Sequence, residues 1–208
     1  KAFVRQVDVN YYTDANLAVQ LDVLEVDKMK VDSPIMERAY GDVSVRAKAT
    51  LFKKIRFETH DNVGWGPIHL PEEEMHTSAA WISFSDEFVE RIGATQIEQA
   101  LLGISQILKH AAPLFVMCDP VDLEVVPMIK APHNEKPTIF LYDKYPGGIG
   151  LSEKLYERMP VLLHEVLSMT ERCQCESGCP SCIGTESGEK AIVQRLLRQM
   201  LKEAHHVS

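Results

Sequence analysis

No stretch of the 208-residue chain reaches the roughly 18 consecutive apolar residues of a membrane-spanning helix, so no membrane role is expected. Positive charge is in short supply: 22 Lys and Arg stand against 30 Asp and Glu, a formal charge of −8. That excludes a uniformly basic nucleic-acid coat. No G-x4-G-K-[ST] phosphate loop is present, so the chain is not expected to hydrolyse ATP by itself. No Ser/His/Asp or Cys/His set can be assembled and no catalytic residue is assigned. Internal repeats and low-complexity segments are also missing. What remains is an ordinary globular composition, 45% hydrophobic and 25% charged, able to bury one sizeable core or two small ones. A soluble, cytoplasmic protein is the expectation. Lys1–Val9 reads as a strand from the first residue, which suggests a piece of a longer protein.

The patterning changes character along the chain. Leu21, Val23 and Val26, then Val43, Val45, Ala47, Ala49 and Leu51, follow strand-like spacing, and Ala79–Phe84 reads as a further strand. Residues 61–67 form a turn cluster, and Glu72-Glu73-Glu74 a solvated loop or helix start. After Ser85 the period becomes helical. Thr95 and Glu98 have capping-box spacing, followed by Ile97, Leu101, Ile104 and Leu108 on one face up to Pro113. Asp122–Met128 is extended, Thr138–Tyr142 is a short buried strand, Leu151–Arg172 is a helix broken before Pro160, and Glu189–Ala204 is a last helix. The predicted fold is therefore α+β, a strand-rich part over 1–84 followed by a helix-rich part over 85–208. Net charge is +1 over residues 1–60, −8 over 61–140 and −1 over 141–208, so the acidity sits in the middle.

Four of the five cysteines, Cys173, Cys175, Cys179 and Cys182, fall within ten residues as C-x-C-x3-C-x2-C. Thiolates are soft donors suited to a tetrahedral d10 ion, and one short loop gathers them at little entropic cost. One structural zinc is the natural reading, with the four-cysteine knuckle closing the helix-rich part and leaving no open coordination position. Gly178 relieves crowding in the loop, and Arg172 with nearby backbone amides is expected to offset the local negative charge. Two disulfides and an iron–sulfur cluster are the alternatives. Cys118 stands apart as a core thiol, and His164 is read as packed or exposed.

The run Tyr142-Asp143-Lys144-Tyr145-Pro146-Gly147-Gly148-Ile149-Gly150-Leu151, a helix, and then the cysteine motif together resemble the C-terminal zinc-binding domain of the MrfA (YprA) family of DNA repair helicases. Val7–Thr13 resembles the stretch preceding that domain, and Cys118-Asp119-Pro120 matches more loosely. The resemblance implies an auxiliary domain of a superfamily 2 helicase. ATP and Mg2+ would then belong to RecA-like motor domains of the parent chain, which unwind DNA 3′ to 5′. DNA would be a partner through that parent.

Two further features bear on DNA. Gly147, Gly148 and Gly150 sit between a strand and a helix, where free amides could meet a phosphate, although easing a chain reversal is sufficient reason for them. Arg46, Lys48, Lys54 and Arg56 share one strand parity, with Lys53 adding a fifth charge; they could line a DNA strand or form a solvated face. Phe52 or Trp65 could stack on a base. The acidic middle, with Glu72–Glu74, Asp86, Glu87 and Glu90, would repel DNA. It suits either solvent or a protein contact, the alternative being a zinc-stabilised protein-interaction module without direct DNA contact.

Overall fold

The computed structural model describes residues 6–185 and 189–204. Its elements are β1 (Tyr11–Ser33), β2 (Met36–Arg56), β3 (Asn62–Pro67), β4 (Glu73–Phe84), α1 (Asp86–Ile92), α2 (Ala94–Val116), a short 3-10 turn (Pro120–Asp122), β5 (Leu123–Met128), β6 (Thr138–Asp143), α3 (Leu151–Arg172) and α4 (Lys190–Ala204). The fold is α+β, strands first and helices after. Hydrogen-bonded strand neighbours run β1-β2-β4-β6-β5, with β3 on β2. None of the described helices is long and apolar enough to cross a membrane.

Two compact units emerge. One comprises the chain up to Leu21 together with Val45–Met75, and the other Asp22–Ser44 together with everything from His76. The boundary expected near Phe84 marks the change from strand to helix and falls inside the second unit. In the first unit β2 and β3 pair antiparallel, Leu51 opposite Pro67 and Lys53 opposite Trp65. Residues 61–67 are thus largely a strand and not a turn cluster. The Phe52 ring occupies the space a side chain at Gly66 would need, which lets a glycine-rich segment stay paired. The strand expected over Lys1–Val9 does not form at residues 6–9; residues 1–5 lie outside the described residues.

In the second unit β4 and β5 pair antiparallel with β6. Ile82, Phe84, Ile139, Leu141 and Val125 join one apolar core with Ile97, Leu101, Ile104 and Leu108 of α2, Leu155, Met159 and Leu163 of α3, and Val193, Leu196 and Met200 of α4. Asp86 and Glu87 occupy the first turn of α1, where the helix dipole favours acids, behind the N-cap Ser85. The capping box expected at Thr95 is not formed, because Gly93 at φ 95° already turns the chain and α2 starts two residues earlier, at Ala94.

Both internal prolines are passed without a break. Pro113 lies inside α2, which ends only at Met117 in the left-handed conformation. Pro160 lies inside α3 and, lacking an N–H, leaves the Tyr156 carbonyl without its helical donor. Arg38 supplies one: its Nη1 donates to Tyr156 O at 3.1 Å, and its guanidinium lies over the Tyr156 ring. The same buried guanidinium pairs with buried Asp32 at 3.2 Å. Burial raises the Asp32 carboxyl above its usual range, against the opposing pull of Arg38. Arg38→Ala is expected to lower the unfolding free energy by about 3 kcal/mol in urea titration, since it leaves a buried carboxylate unpaired. Lys130→Ala, in an exposed pair with Glu135, should change it by less than about 0.5 kcal/mol. Equal, small effects would remove Arg38 from this role.

Candidate metal centre and glycine turn

Helix α3 ends at Arg172 because Cys173 turns extended, its N–H still reaching Met169 O. The chain then folds into a knuckle. Cys182 N donates to Cys179 O at 3.0 Å, Gly184 N reaches the same carbonyl, and Cys179 N donates to the Cys182 sulfur at 3.3 Å. A Cβ at Gly178, where φ is 143°, would strike the Gly184 carbonyl and the Ile183 side chain. These turns bring the sulfurs of Cys173, Cys175, Cys179 and Cys182 within 4.8 Å of one another. Four of the sulfur pairs stand at 3.5–3.6 Å.

All four are free thiols, well beyond the roughly 2.05 Å of a disulfide. Tetrahedral zinc with Zn–S near 2.3 Å needs sulfur–sulfur edges of about 3.8 Å, close to those present. A four-iron cluster places each thiolate on a separate iron and so spreads the sulfurs farther apart. The donor set therefore fits a single tetrahedral ion. The thiols also depart from ordinary behaviour. The Cys175 N–H, and then sulfur contacts with Cys175 and Cys179, lower Cys173 to about 7. Burial and the adjoining sulfurs push Cys175 up to about 12. Without a cation, one thiolate suppresses ionisation of the next.

The cation beside the knuckle comes from a residue that the sequence pattern did not single out. Lys190, only 7% exposed, donates from Nζ to the carbonyls of Cys173 at 2.6 Å and Cys175 at 2.9 Å, while its backbone N–H reaches Ser177 O. It ties the start of α4 to the loop. Arg172, expected in that role, lies along α3 instead, with Nε toward Ser168 O and Nη2 toward Glu165. His110 on α2 adds a contact from its Nε2 to Pro180 O at 3.1 Å. The only hint of Lys190 in the sequence is its place at the head of an amphipathic helix. Cys118 is half-buried against the core, and burial raises its thiol; His164 lies on the exposed side of α3.

The Gly147, Gly148 and Ile149 amides of the glycine turn are already used, the first two on the His76 and Tyr145 carbonyls. Asp143, fully buried at the end of β6, accepts from Ile149 N at 2.7 Å and Leu151 N at 3.1 Å through Oδ2, and from Ser152 N at 2.8 Å through Oδ1. A carboxylate of the chain itself takes the place of a phosphate at the N-terminus of α3. Gly147, Gly148 and Gly150 all have positive φ and shape this turn. At Gly148 a Cβ would overlap the Ser78 hydroxyl, so Gly148→Ala cannot probe binding with the fold intact.

The five candidate DNA-contacting cations lie on β2 in the first unit, but not on one face. Strand alternation puts Arg46, Lys48, Lys54 and Arg56 on one side and Lys53 on the other. Lys54 covers the Tyr11 ring at 5.1 Å. Lys48 and Thr50 line a pocket of about 530 Å³ with the Pro67–Pro71 segment, His69 included.

Asp143→Asn keeps the size of the side chain but turns one acceptor into a donor facing an N–H. Urea unfolding should show a loss of about 2 kcal/mol or more, with faster amide exchange at Ile149, Leu151 and Ser152. Exchange unchanged at these three amides would contradict the cap.

Comparison with known proteins agrees with this geometry. Residues 104–183 match the family model of the MrfA Zn-binding domain, which takes in all four cysteines. The chain is 55% identical over 203 residues to the ATP-dependent helicase YprA of Bacillus subtilis, covering 96% of this chain and 27% of that protein. It is 26% identical over 202 residues to the ATP-dependent helicase HRQ1 of Saccharomyces cerevisiae, covering 88% of this chain and 18% of that protein. The crystal structure of the DUF1998 helicase MrfA bound to DNA aligns with a TM-score of 0.73 at 53% identity, over 94% of this chain and 26% of that one. The chain thus spans about a quarter of the length of YprA and MrfA. Residues 104–183, the four-cysteine knuckle included, thus match the MrfA Zn-binding domain, and over nearly its whole length the chain is similar to a portion of YprA and of MrfA.

Proposed function

We propose that this chain is the zinc-stabilised auxiliary portion of an ATP-dependent superfamily 2 DNA repair helicase, supporting the motor and its engagement of DNA. The observation that carries the reading is the four-sulfur cluster inside a Zn-binding family domain. Cys173, Cys175, Cys179 and Cys182 hold one Zn2+, which supplies charge neutralisation and a cross-link between the end of α3 and the knuckle that follows it. Four thiolates complete a tetrahedral shell, so the metal is structural and the portion itself is not catalytic. ATP and Mg2+ are bound by RecA-like motor domains of the parent chain, and unwinding runs 3′ to 5′. A cytoplasmic location accompanies that role.

Direct DNA contact falls to the first unit. Seven Lys and Arg balance seven Asp and Glu there, whereas the second unit, with 15 against 23, carries the whole net charge of −8. Within the first unit, residues 46–56 hold five cations and no carboxylate. Such a strand positions phosphates without reading sequence. One observation favours the alternative, a protein-interaction module without DNA contact: α2 and α3 of the acidic second unit leave an apolar groove of about 400 Å³ lined by Leu114, Phe115, Val161 and Met169.

Fluorescence anisotropy of the chain with labelled single-stranded DNA over a salt series separates the two. Log affinity should fall linearly with log salt, and the double variant Lys48→Ala, Arg56→Ala should flatten the slope by about 1.4, equally for different base sequences. Absence of binding at low salt, or a slope the double variant leaves untouched, would favour the protein-interaction module.

A further inference from the structure

We propose that Trp65 and Lys53 form a base-stacking subsite for single-stranded nucleic acid on the paired strands β2 and β3. The subsite rests on the reading of the first unit as a nucleic-acid surface and adds to it the part that senses a base.

Trp65 is 71% exposed within β3, at a position paired with Lys53 of β2, while Trp81 is 2% exposed in the second unit. An indole is the largest apolar group a chain can bury, and leaving it in water forgoes that gain. Among the described residues no ring or cation is stacked on it. Its neighbours Gly64 and Gly66 carry no side chains, so the strand is slim at this point.

The register settles what stands beside it. Lys53 is the direct cross-strand partner of Trp65, so both point to the same face with Cβ atoms about 5 Å apart. A planar group lying on the indole brings whatever is bonded to it within reach of one flexible ammonium. A nucleotide has that build: a base with a π face and a phosphate a few bonds away. Phe52, the other aromatic of this segment, is unavailable because its ring covers Gly66. The opposite face of β2 carries Arg46, Lys48, Lys54 and Arg56, so a strand of nucleic acid meets positive charge on either side of this ribbon. A base pair within a duplex presents only its edges. An indole face therefore selects unpaired bases.

The test uses the whole 208-residue chain with two probes, an oligothymidylate and an abasic deoxyribose-phosphate oligomer of the same length, and so of equal charge. The wild type should bind the oligothymidylate at least about fivefold more tightly than the abasic oligomer, Trp65→Ala should erase the difference, and Trp65→Phe should keep part of it. Oligothymidylate should quench the wild-type emission, and quenching should vanish in Trp65→Phe, which retains only buried Trp81. An unchanged melting temperature of Trp65→Ala assigns the loss to binding. Equal wild-type affinity for both probes, or a preference that survives Trp65→Ala, overturns the subsite while leaving the basic-strand reading in place. Binding of neither probe overturns both. Self-association in sedimentation that Trp65→Ala abolishes, with the base preference retained, also overturns it and assigns the indole to a protein contact.

Discussion

Four sulfurs held within 4.8 Å of one another cannot all ionise unless a cation stands among them, and the end of α3, the knuckle and the start of α4 are all built around that requirement. The chain contributes one cation of its own, Lys190, whose ammonium is spent on the carbonyls of two of the cysteine residues. Backbone geometry does the rest. Cys173 leaves the helix in an extended conformation and Gly178 adopts a φ of 143°, so that sulfurs from both arms of the loop converge. His110 reaches the loop from α2, tying it to the same helix layer that covers the sheet. The knuckle that the four sulfurs close is thus joined to three helices, α3 through Cys173, α4 through Lys190 and α2 through His110, so that its opening would be felt in the core and not only in the loop.

The same solution, a buried ionic side chain completing a backbone that the sequence leaves open, recurs twice in the second unit. Asp143 takes three amides at the start of α3, a place where the glycine turn provides no side-chain cap. Arg38 takes the carbonyl that Pro160 leaves unpaired in the middle of the same helix. The glycine-rich motif and the internal proline, both breakers by composition, sit in or beside a 22-residue helix that two charges outside it support, Asp143 just before its start and Arg38 far away in sequence. Each charge is also compensated in turn, Arg38 by the ion pair with Asp32 and Asp143 by its three donors, which offsets the cost of burying it.

Much of this was legible beforehand, and the failures share a cause. The helices over Ile97–Leu108, Leu151–Arg172 and the C-terminal segment follow from apolar spacing, and the sulfur cluster from four thiols within ten residues, because these signals are local. Pro160 reads as a break because its remedy, Arg38, is more than a hundred residues away. The glycine turn reads as a possible phosphate cradle because nothing in the spacing reveals that the Asp143 carboxylate folds back onto it. Residues 61–67 read as a turn because glycine weakens a strand, and only the cross-strand Phe52 ring explains why one forms. Lys190 is invisible for the same reason: a lysine at a helix start has no signature until its partners are in place.

The central claim is that the knuckle binds one zinc and that the fold of the second unit depends on it. Metal content by inductively coupled plasma mass spectrometry, with thermal melting before and after chelation, tests this most directly. The account predicts one zinc per chain and a cooperative melt that chelation, or Cys179→Ser, removes. An intact cooperative melt in protein free of metal, or iron in place of zinc, would contradict it.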